Sequence, residues 1–562
     1  MLNEVSYGQD TSPLTLGGFN DDLRARANYY SDYQPSADVA ASASQSSGTA
    51  ESRYRQRLSE HGYSENRGSK GGSLYTGSAY GTGESANRIN GASQSRVEDT
   101  YDESVVGLYP HMYRGTNFNS NVFGGVAAYG RYGNLNRRTL YGQIFANQLR
   151  PRDTTMRVGA VDIKVGALGG FDYTDNVFLT QDNKRSDIMA KFAVTAGGEY
   201  QMSEINNINF YVSAGVGRYL LHKESNERLT NNGVILNVSP DTYLGFDFNL
   251  GDLFLTISNR LFIRQNIDNS FILDRRDNYD TIINNLGISA LWQVNSQVDV
   301  TAGYSFIKQW PLDSEFDFVE NTTHQVLSAI TYSPTGSWAT GVEAGYYHVD
   351  YEENVNNSSD NITLGPFFSA PVSEYTQFRV AGGWQWGNFS NTGSNGDTSQ
   401  LSSWFANILV ENQLNAYLQQ SFAVGRGSNV GVASNYTNQT WGRYGLTTRL
   451  NQTFLSAGVT LIKQSDSGGS FSRDVDRFGI DASVTHPLGE MLTLYAGYYY
   501  GNNDSNFLTS QFVQHRFNID LAYPLTPDID LILGYRLNKA NAEVDELSFT
   551  ENRAGINLSY NF

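Results

Sequence analysis

From residue 161 to its end, the chain alternates between apolar and polar residues. The last stretch is the clearest: Ala554, Ile556, Leu558, Tyr560 and Phe562 are apolar, with only polar residues or glycine between them. A period of two puts successive side chains on opposite faces of an extended strand. A chain that repeats this pattern must build a large sheet with one apolar face and one polar face.

We distinguish 20 segments with this alternation. They cover residues 161–174, 188–202, 208–220, 242–250, 253–263, 282–294, 298–310, 323–333, 337–351, 360–371, 375–388, 401–414, 416–426, 437–450, 454–463, 475–487, 491–501, 513–523, 529–538 and 551–562. Each is near the roughly 9–11 residues that a tilted membrane strand requires. Alternation is weak near Gln419 and Tyr436, so 18 strands is the alternative count.

The connections between these segments alternate in length. Short ones lie at 203–204 and 251–252, whereas long polar ones lie at 180–187 and 223–233. Short periplasmic turns and long extracellular loops are typical of bacterial outer-membrane barrels. The predicted fold is therefore all-β: a transmembrane antiparallel up-and-down β-barrel formed by residues 156–562. An even strand count places both ends of the barrel in the periplasm.

Charged residues in these segments fall on the polar parity, which would face the lumen. The candidate lumen-facing charges are Arg260, Arg264, Arg379, Arg443, Arg449, Asp247, Asp299, Glu343 and Asp481. Opposed acidic and basic strips would set a transverse field and tune solute passage. Alternatively, these charges pair off across the wall and stiffen it. Lys463 and Arg426 break the parity rule at strand ends, where long side chains can reach the membrane interface.

Tryptophan provides a second test of the barrel. Six of the seven tryptophans lie on the apolar parity near a strand end: Trp292, Trp310, Trp338, Trp384, Trp386 and Trp404. Aromatic residues collect there because the rings suit the membrane–water interface. A soluble β-sandwich would place tryptophan in mid-strand as often, and would need a second sheet to cover its apolar face. The pattern favours the membrane barrel.

Composition agrees with this interpretation. Charged residues make up 17% of the chain, below the roughly 25% of a typical soluble domain, and no run approaches the roughly 18 apolar residues of a membrane helix. The absence of cysteine excludes disulfides and thiolate chemistry. A net charge of −18 disfavours a nucleic-acid partner. Residues 1–6 lack the basic and apolar parts of a secretory signal, so we expect the numbering to begin in a processed or re-engineered chain.

Residues 1–155 differ in composition from the rest. The region is rich in serine, glycine and tyrosine, and it lacks a sustained apolar pattern. Such a segment cannot bury enough apolar surface to offset its ordering entropy alone. We interpret it as a low-complexity extension: a tail, a plug or a partner-binding arm. A compact folded plug is disfavoured because residues 30–100 lack an apolar core, but a segment threading the lumen stays open.

The search for chemistry finds no catalytic set, so we predict that the chain is not an enzyme. His324, His348 and His486 lie near strand ends, where interfacial histidine is the simpler explanation. We predict no cofactor, with a weak Ca²⁺ alternative in the acidic loop 313–320, which could also bridge lipopolysaccharide. The expected partners are outer-membrane lipid, lipopolysaccharide, the barrel-assembly machinery, and copies of this chain in an oligomer or lattice.

Two short motifs carry resemblances to known proteins. The terminal Tyr560-x-Phe562 resembles the closing strand of outer-membrane barrels, which implies an assembly signal. Gly166 to Phe178, with its Tyr-x-Asp-Asn at 173–176, resembles the opening strand and first loop of the putative outer-membrane β-barrel porin family, type 2. That resemblance covers about residues 160–562. It implies an outer-membrane barrel, in some bacteria associated with exopolysaccharide export, and transfers no catalytic residue.

Three functions remain open at this point. The first is a porin-like channel for the diffusion or export of polar solutes or polysaccharide. The second is a gated barrel plugged by residues 1–155. The third is a structural or lattice-forming membrane protein whose N-terminal arm, including the Arg53–Arg57 stretch, contacts neighbours or the cell wall.

Overall fold

A computed structural model provides the structure of this protein. The residues it describes are 156–158, 161–203, 206–222, 225, 234–238, 242–264, 281–295, 297–312, 317–318, 320–334, 338–353, 355–373, 376–390, 393–394, 396–415, 418–430, 434–450, 453–469, 472–489, 492–506, 511–526 and 528–561. The domain prediction for residues 1–155 therefore lies outside the described part of the chain.

The described residues form 22 strands in one sheet. The strands are β1 (Met156–Val158), β2 (Val161–Thr174), β3 (Asp187–Ser203), β4 (Asn206–Tyr219), β5 (Ile235–Val238), β6 (Tyr243–Asn249), β7 (Leu253–Arg264), β8 (Thr281–Asn295), β9 (Val298–Pro311), β10 (Asn321–Tyr332), β11 (Ala339–Tyr351), β12 (Ser359–Ser373), β13 (Thr376–Phe389), β14 (Leu401–Asn415), β15 (Leu418–Val430), β16 (Tyr436–Leu450), β17 (Thr453–Asp466), β18 (Asp474–Leu488), β19 (Leu492–Ser505), β20 (Phe512–Thr526), β21 (Ile529–Ala542) and β22 (Phe549–Asn561). A short 3₁₀ helix, Asp545–Leu547, lies between β21 and β22.

The wall of the barrel has 20 strands. β1 is a stub of three residues. β5 and β6 lie one after the other along the same edge of β4, so together they fill one wall position. The hydroxyl of Thr242 bridges the break between them, donating to the carbonyl oxygen of Ser213 and accepting from its N–H.

Every wall strand is antiparallel to its neighbours, and the sheet closes where β2 pairs with β22, from Gly166 opposite Asn561 to Thr174 opposite Arg553. Because the sheet closes, the backbone N–H and C=O groups along the wall find hydrogen-bond partners on neighbouring strands. A lipid environment requires this, since it offers no water to bond them. The prediction of an antiparallel barrel of about 20 strands is confirmed. The alternative of 18 strands is wrong, because the weakly alternating regions form full strands, β15 and β16.

The alternation in the sequence becomes the two faces of the wall. Along β10, buried residues such as Thr323 and Gln325 alternate with outward residues such as Val326 and Ile330. Apart from β5 and β6, which have 4 and 7 residues, the wall strands are longer than the predicted 9–11 residues, from 12 in β7 to 17 in β3. Within the described ranges, no helix has the length and apolarity to cross a membrane.

Short turns gather at one end of the barrel and long loops at the other. Two of the turns contain glycines with positive φ, Gly251 at 86° and Gly489 at 81°. Glycine adopts this conformation without a steric penalty. β2 begins and β22 ends on the short-turn side, since Tyr560 pairs with Ile529 directly after the turn between β20 and β21.

Apolar clusters lie on the inner face beneath the long loops. One contains Leu168, Val177, Met189, Ala193, Tyr219 and Ile235. It explains why Leu168 departs from the alternation of β2, because its side chain is needed inside. A second cluster contains Tyr347, Val349, Tyr351, Phe389, Leu401 and Val430.

Candidate functional site

The inner wall is polar around its circumference, which makes the lumen the candidate site. Buried polar or charged side chains of the wall strands include Asp172, Lys191, Ser213, Arg260, Asn285, Thr301, Gln325, Glu343, Asn361, Arg379, Asn407, Ser428, Arg443, Thr460, Asp481, Asn503, Arg516, Arg536 and Asn557. The seventh tryptophan, Trp441, is also buried, and its ring lies where a Cβ on inward Gly425 would point. Such a wall presents hydrogen-bonding groups and charges of both signs.

Two of the predicted lumen charges, Arg379 and Glu343, form an ion pair. β12 lies between their strands, and its Phe367 ring lies under the guanidinium, 4.6 Å from centroid to Cζ. The cation therefore rests on an aromatic face while it bonds the carboxylate two strands away.

Arg443 and Asp481 form a second pair across one intervening strand. Their closest nitrogen and oxygen are 3.5 Å apart, and Arg443 Nη1 donates to Thr460 Oγ1 at 3.0 Å. Gly458 lies beneath the pair: a Cβ there would be 2.6 Å from Asp481 Oδ1 and 3.0 Å from Arg443 Nη2. The missing side chain leaves the space in which the pair meets.

Two further inner pairs were not among the predicted site residues. Lys191 Nζ donates to Asp172 Oδ2 at 2.5 Å, and Arg536 Nη2 donates to Asp520 Oδ2 at 2.7 Å. Asp520 also lies over a glycine, because a Cβ on Gly534 would approach its Oδ1 to 2.7 Å. Polar parity places all four residues inside, but the sequence does not say which of them meet.

The remaining predicted lumen charges have different outcomes. Arg260 on β7 and Asp299 on β9 are buried on the inner face. The side chains of Arg264, Arg449 and Asp247 lie outside the described part of the structure. The sequence left two interpretations of the lumen charges: opposed acidic and basic strips, or pairs within the wall. Arg379–Glu343 and Arg443–Asp481 are pairs within the wall.

Several long inner side chains are almost fully enclosed. The exposed fractions of Arg260, Arg477 and Arg516 are 2%, 3% and 4%, although these are long side chains on different strands. Neighbouring polar side chains of the wall account for part of this enclosure: Arg477 Nε donates to Asn503 Oδ1 at 2.9 Å, and Arg516 Nη2 donates to Gln514 Oε1 at 2.9 Å.

The predicted aromatic belt residues lie on or near the outer face, close to both rims. Trp310, Trp384, Trp386 and Trp404 lie towards the long loops, while Trp292 and Trp338 lie towards the short turns. Trp384 and Trp404 are cross-strand partners. Trp338 packs edge-on against Tyr332, with centroids 6.1 Å apart. The arrangement delimits an apolar band on the outer surface.

The two charges that break parity have partners at the outer surface. The Arg426 guanidinium lies over the Trp404 ring, 4.7 Å from its centroid. Lys463 Nζ lies 3.6 Å from Asp476 Oδ2, and both side chains are largely exposed. Each charge is therefore stabilised by a neighbouring side chain, the ring of Trp404 or the carboxylate of Asp476, rather than by burial.

The outward histidines also have polar partners near the rims. The ring Nδ1 of His324 bonds Tyr304 Oη at 2.8 Å, and the ring Nδ1 of His348 bonds Asp360 at 2.9 Å. The phenol of Tyr346 donates to the same carboxylate oxygen of Asp360 at 2.6 Å. His486 bonds Thr453 near the short turns, at 2.7 Å.

The long loops of one side are tied together by a buried carboxylate, Asp397. It accepts hydrogen bonds from Ser467 Oγ at 2.5 Å, from the Asn435 N–H at 2.8 Å and from the Ser399 N–H at 2.8 Å. Asn357 joins the group by donating to the Asp397 carbonyl oxygen at 3.0 Å and to Asn435 Oδ1 at 2.6 Å. Four successive loops therefore meet at one point.

The protonation of Asp397 reflects these bonds. Its burial would raise the pKa of the carboxyl group, but the hydrogen bonds from Ser467, Asn435 and Ser399 stabilise the charged form, and the pKa lies below its ordinary value. Sequence reasoning did not identify this residue, because its partners are distant in the chain.

The Asp-Asn of the Tyr-x-Asp-Asn motif lies at the closing seam. Asp175 accepts from the Asn552 N–H and from Asn552 Nδ2, both at 2.7 Å. Asn176 Nδ2 donates to the Thr550 carbonyl oxygen at 3.1 Å, and Thr174 Oγ1 donates to Glu551 Oε1 at 2.8 Å. The motif thus fastens the first strand to the last.

The other predicted features are only partly described. Within the described ranges, no group of three or more histidine or acidic side chains could hold a metal ion. Of the acidic loop 313–320, residues 313–316 and 319 lie outside the description, and Glu320 pairs with Lys308 at 2.9 Å. Tyr560 is outward and exposed near the end of β22, whereas Phe562 lies outside the described residues.

A closed antiparallel barrel with an apolar outer band and a polar inner wall is a transmembrane β-barrel. Solved structures to which this chain is similar include the siderophore receptor PirA from Pseudomonas aeruginosa, which is 7% identical over 73% of this chain and 82% of that one, with a TM-score of 0.42. The FrpB iron transporter from Neisseria meningitidis is 9% identical over 74% and 83%, with a TM-score of 0.45. OccAB2 from Acinetobacter baumannii is 10% identical over 72% and 99%, with a TM-score of 0.35.

At this level of identity and TM-score, the likenesses concern the fold and carry no functional statement about this chain. No protein-family model matches the sequence. No curated protein matches it either. The resemblance to the type 2 porin family therefore stays a hypothesis at the level of the family.

Proposed function

We propose that this protein is an outer-membrane channel that carries polar solutes through its lumen. The observation behind the proposal is the contrast between the faces: apolar between two aromatic rims outside, polar with charges of both signs inside. A path for polar solutes requires a polar, hydrogen-bonding inner wall, whereas contact with lipid or with neighbouring proteins uses the outer face and the loops.

The chemistry of the wall indicates the class of solute. Amide and hydroxyl groups such as Gln325, Asn407 and Thr460 exchange hydrogen bonds with sugars and other neutral polar molecules. The paired charges leave little net field along these parts of the wall, so strong selectivity for one sign of ion is not expected. We therefore favour neutral polar solutes, including saccharides. The proposal covers passage in either direction, export as well as uptake.

The orientation of the channel follows from its loops. In outer-membrane barrels the short turns face the periplasm and the long loops face the exterior. With that rule, β2 begins and β22 ends on the periplasmic side, and the loops joined at Asp397 lie outside. Proteolysis of intact cells should therefore cut the long loops and spare the turns.

Conductance and solute flux test the proposed function. We would measure single-channel currents in planar bilayers and the swelling of liposomes in sugars of graded size. The full chain and a chain beginning at residue 155 are compared, with folding verified for each by heat-modifiable gel mobility. Ion currents and sugar flux from either chain support a channel. Folded protein that stays silent in both forms would favour the structural alternative, with the N-terminal arm contacting neighbours or the cell wall.

A further inference from the structure

We propose that the outer face of the wall binds the phosphate of an outer-leaflet lipid where β14 and β15 part, with Arg426 as the main contact to the anion. The site lies on the outside of the barrel, so this inference goes beyond the proposed channel and does not rest on it. Three observations support it: a fork between the two strands, an arginine without an acidic partner, and a row of cationic and hydroxyl side chains.

The first observation is a fork in the wall. The pairing of β14 with β15 ends at Ala406 opposite Arg426. Towards the long loops, residues 401–405 of β14 continue to pair with β13 alone, and residues 427–430 of β15 pair with β16 alone. The two strands therefore part at this point, and Trp404 of the aromatic belt lies on one arm of the fork.

The side chain of Gln385, on the inner face of β13, explains the fork. Its Oε1 accepts from the Ser428 N–H at 2.9 Å, and its Nε2 donates to the Ser428 carbonyl oxygen at 3.3 Å. These are backbone groups that β14 would otherwise bond. The end of β15 is thereby held towards the lumen, where Val430 packs in one apolar cluster with Leu401 and Phe389.

The fork also leaves the backbone of Trp404 facing it. In an antiparallel sheet, the N–H and C=O groups of successive residues point alternately to the two neighbouring strands. Trp404 would lie opposite Ser428 if the register of Ala406 and Arg426 continued. Its N–H therefore points into the fork as a hydrogen-bond donor, while its carbonyl oxygen accepts from Ser403 Oγ at 3.4 Å.

The second observation is the state of Arg426. Its guanidinium lies over the Trp404 ring, 4.7 Å from the centroid. Among the described side chains no carboxylate pairs with it, and its Nε has no hydrogen-bond acceptor. The outward cations Lys308 and Lys463 differ, because each has a carboxylate partner. A guanidinium stacked on a ring keeps the N–H groups of its edge available for an anion.

The third observation is a row of side chains that crosses three strands on the outer face. Thr440 lies opposite Arg426, and Lys463 lies opposite Thr440. At about 4.8 Å per strand, the backbones of the two cations are about 10 Å apart, which two long side chains can close on one phosphate. Lys463 can leave Asp476 for it, since their pair is largely exposed and such pairs contribute little stability.

Charge and position together indicate the occupant. With the long loops outside the cell, the fork lies on the side of the outer leaflet, where tryptophan rings meet the lipid headgroups. Phosphate is the headgroup anion that a guanidinium can bond through two N–H groups at once. A chain of net charge −18 is repelled by an anionic leaflet as a whole, so lipid phosphate needs a local cationic site. In an outer membrane, that lipid is lipopolysaccharide.

Native mass spectrometry of the full chain in zwitterionic detergent tests this inference, with diphosphoryl lipid A as the probe. We expect Arg426→Gln to weaken binding at least about tenfold, as for the loss of one charge-assisted hydrogen bond. Arg218→Gln is the matched control, because Arg218 is an outward, exposed arginine on β4, far from the fork. It should bind lipid A as the unaltered protein does. Unchanged binding by Arg426→Gln, or an equal loss in both variants, would overturn the site.

Inorganic phosphate separates a lipid site from a site for free anions. A large excess of phosphate should displace no more lipid A than sodium chloride does at the same ionic strength, because the lipid is also held by its apolar part. Displacement by phosphate beyond the effect of salt would overturn the lipid as the occupant.

Hydrogen exchange provides a readout that needs no substitution. Lipid A should slow the exchange of the Trp404 amide in the unaltered protein, because this N–H gains an acceptor. The Phe405 amide, in the part of β14 that pairs with β13, is the internal reference and should not change. An unchanged Trp404 amide in lipid-bound protein would contradict the proposal. None of these readouts involves ion current, so a silent channel would leave the lipid site intact, and an absent lipid site would leave the channel intact.

Discussion

At the scale of single residues, inward glycines decide how closely ionic groups can meet on the wall. The side chains of Arg443 and Asp481 meet in the space that a side chain on Gly458 would fill, and Asp520 lies in the corresponding space at Gly534. A buried ion pair is stable only when its geometry is good, because both charges have been removed from water. The glycines supply that geometry through the absence of a side chain.

Gly458→Ala should therefore destabilise the barrel. The added Cβ would lie 2.6 Å from Asp481 Oδ1, so the carboxylate must move away from Arg443. We expect a loss of about 1–3 kcal/mol in the free energy of unfolding, as for other overpacked sites. Urea titration of the protein in lipid vesicles, followed by tryptophan fluorescence, measures it.

Gly442→Ala on the neighbouring strand is the matched control. A Cβ added at Gly442 would point to the outer face with nothing within 4 Å of it, so the change should stay within about 0.5 kcal/mol. If both variants lost the same stability, β-strand propensity rather than the ion pair would explain the effect.

At the scale of elements, the sequence predicts strands better than it predicts contacts between loops. Period-two alternation gave the number of strands and the direction of their faces, because each strand obeys it locally. It could not reveal that β5 and β6 share one wall position, or which apolar residues Leu168, which lies on the inward parity, packs against. The Asp397 group was invisible for a related reason: Asn357 and Asn435 bond across 78 positions, and each loop by itself reads as ordinary polar sequence. For the wall charges, parity indicated the face but not the partner.

The seam between β2 and β22 depends on the loop that follows β2. Asp175→Ala removes two hydrogen bonds to Asn552 and leaves the Asn552 amide groups without these acceptors. We expect a loss of about 1–3 kcal/mol and a folded barrel that dissociates on gels at a lower temperature. Asp182→Ala, at an exposed position in the same loop, is the control and should behave as the unaltered protein. If Asp175→Ala, Asp182→Ala and the unaltered protein all dissociated at the same temperature, backbone pairing alone would hold the seam.

The loop group at Asp397 should respond to acid. The pKa of Asp397 in the folded protein lies below the ordinary value of about 3.9 for an aspartate. The ionised carboxylate therefore contributes its full stabilisation of the joined loops at pH values above about 3.9. The contribution is lost as the pH falls through the lower, folded-state pKa. Hydrogen-exchange protection factors of the Ser399 and Asn435 amides should therefore decrease in that range.

Asp397→Asn is the companion variant for this pH effect. It lacks the titrating group, so its protection should be lower at neutral pH and should show no acid step of its own. An identical acid step in Asp397→Asn would assign the titration to another residue.

At the scale of the whole molecule, the outer face must match the membrane in which the barrel lies. Val326 is outward in the middle of β10, between Tyr304 and Tyr346 on the adjacent strands, and Val372 is outward at the short-turn end of β12. An arginine on the lipid face costs about 2–4 kcal/mol at the bilayer midplane and about 0–1 kcal/mol near the interfaces. Val326→Arg should therefore lower the free energy of unfolding in vesicles by the larger amount and Val372→Arg by the smaller. The same two variants in mild detergent, where the charge can reach water, should differ much less. Equal costs in vesicles would mean that the apolar band is displaced along the barrel from the position that its two aromatic rims define.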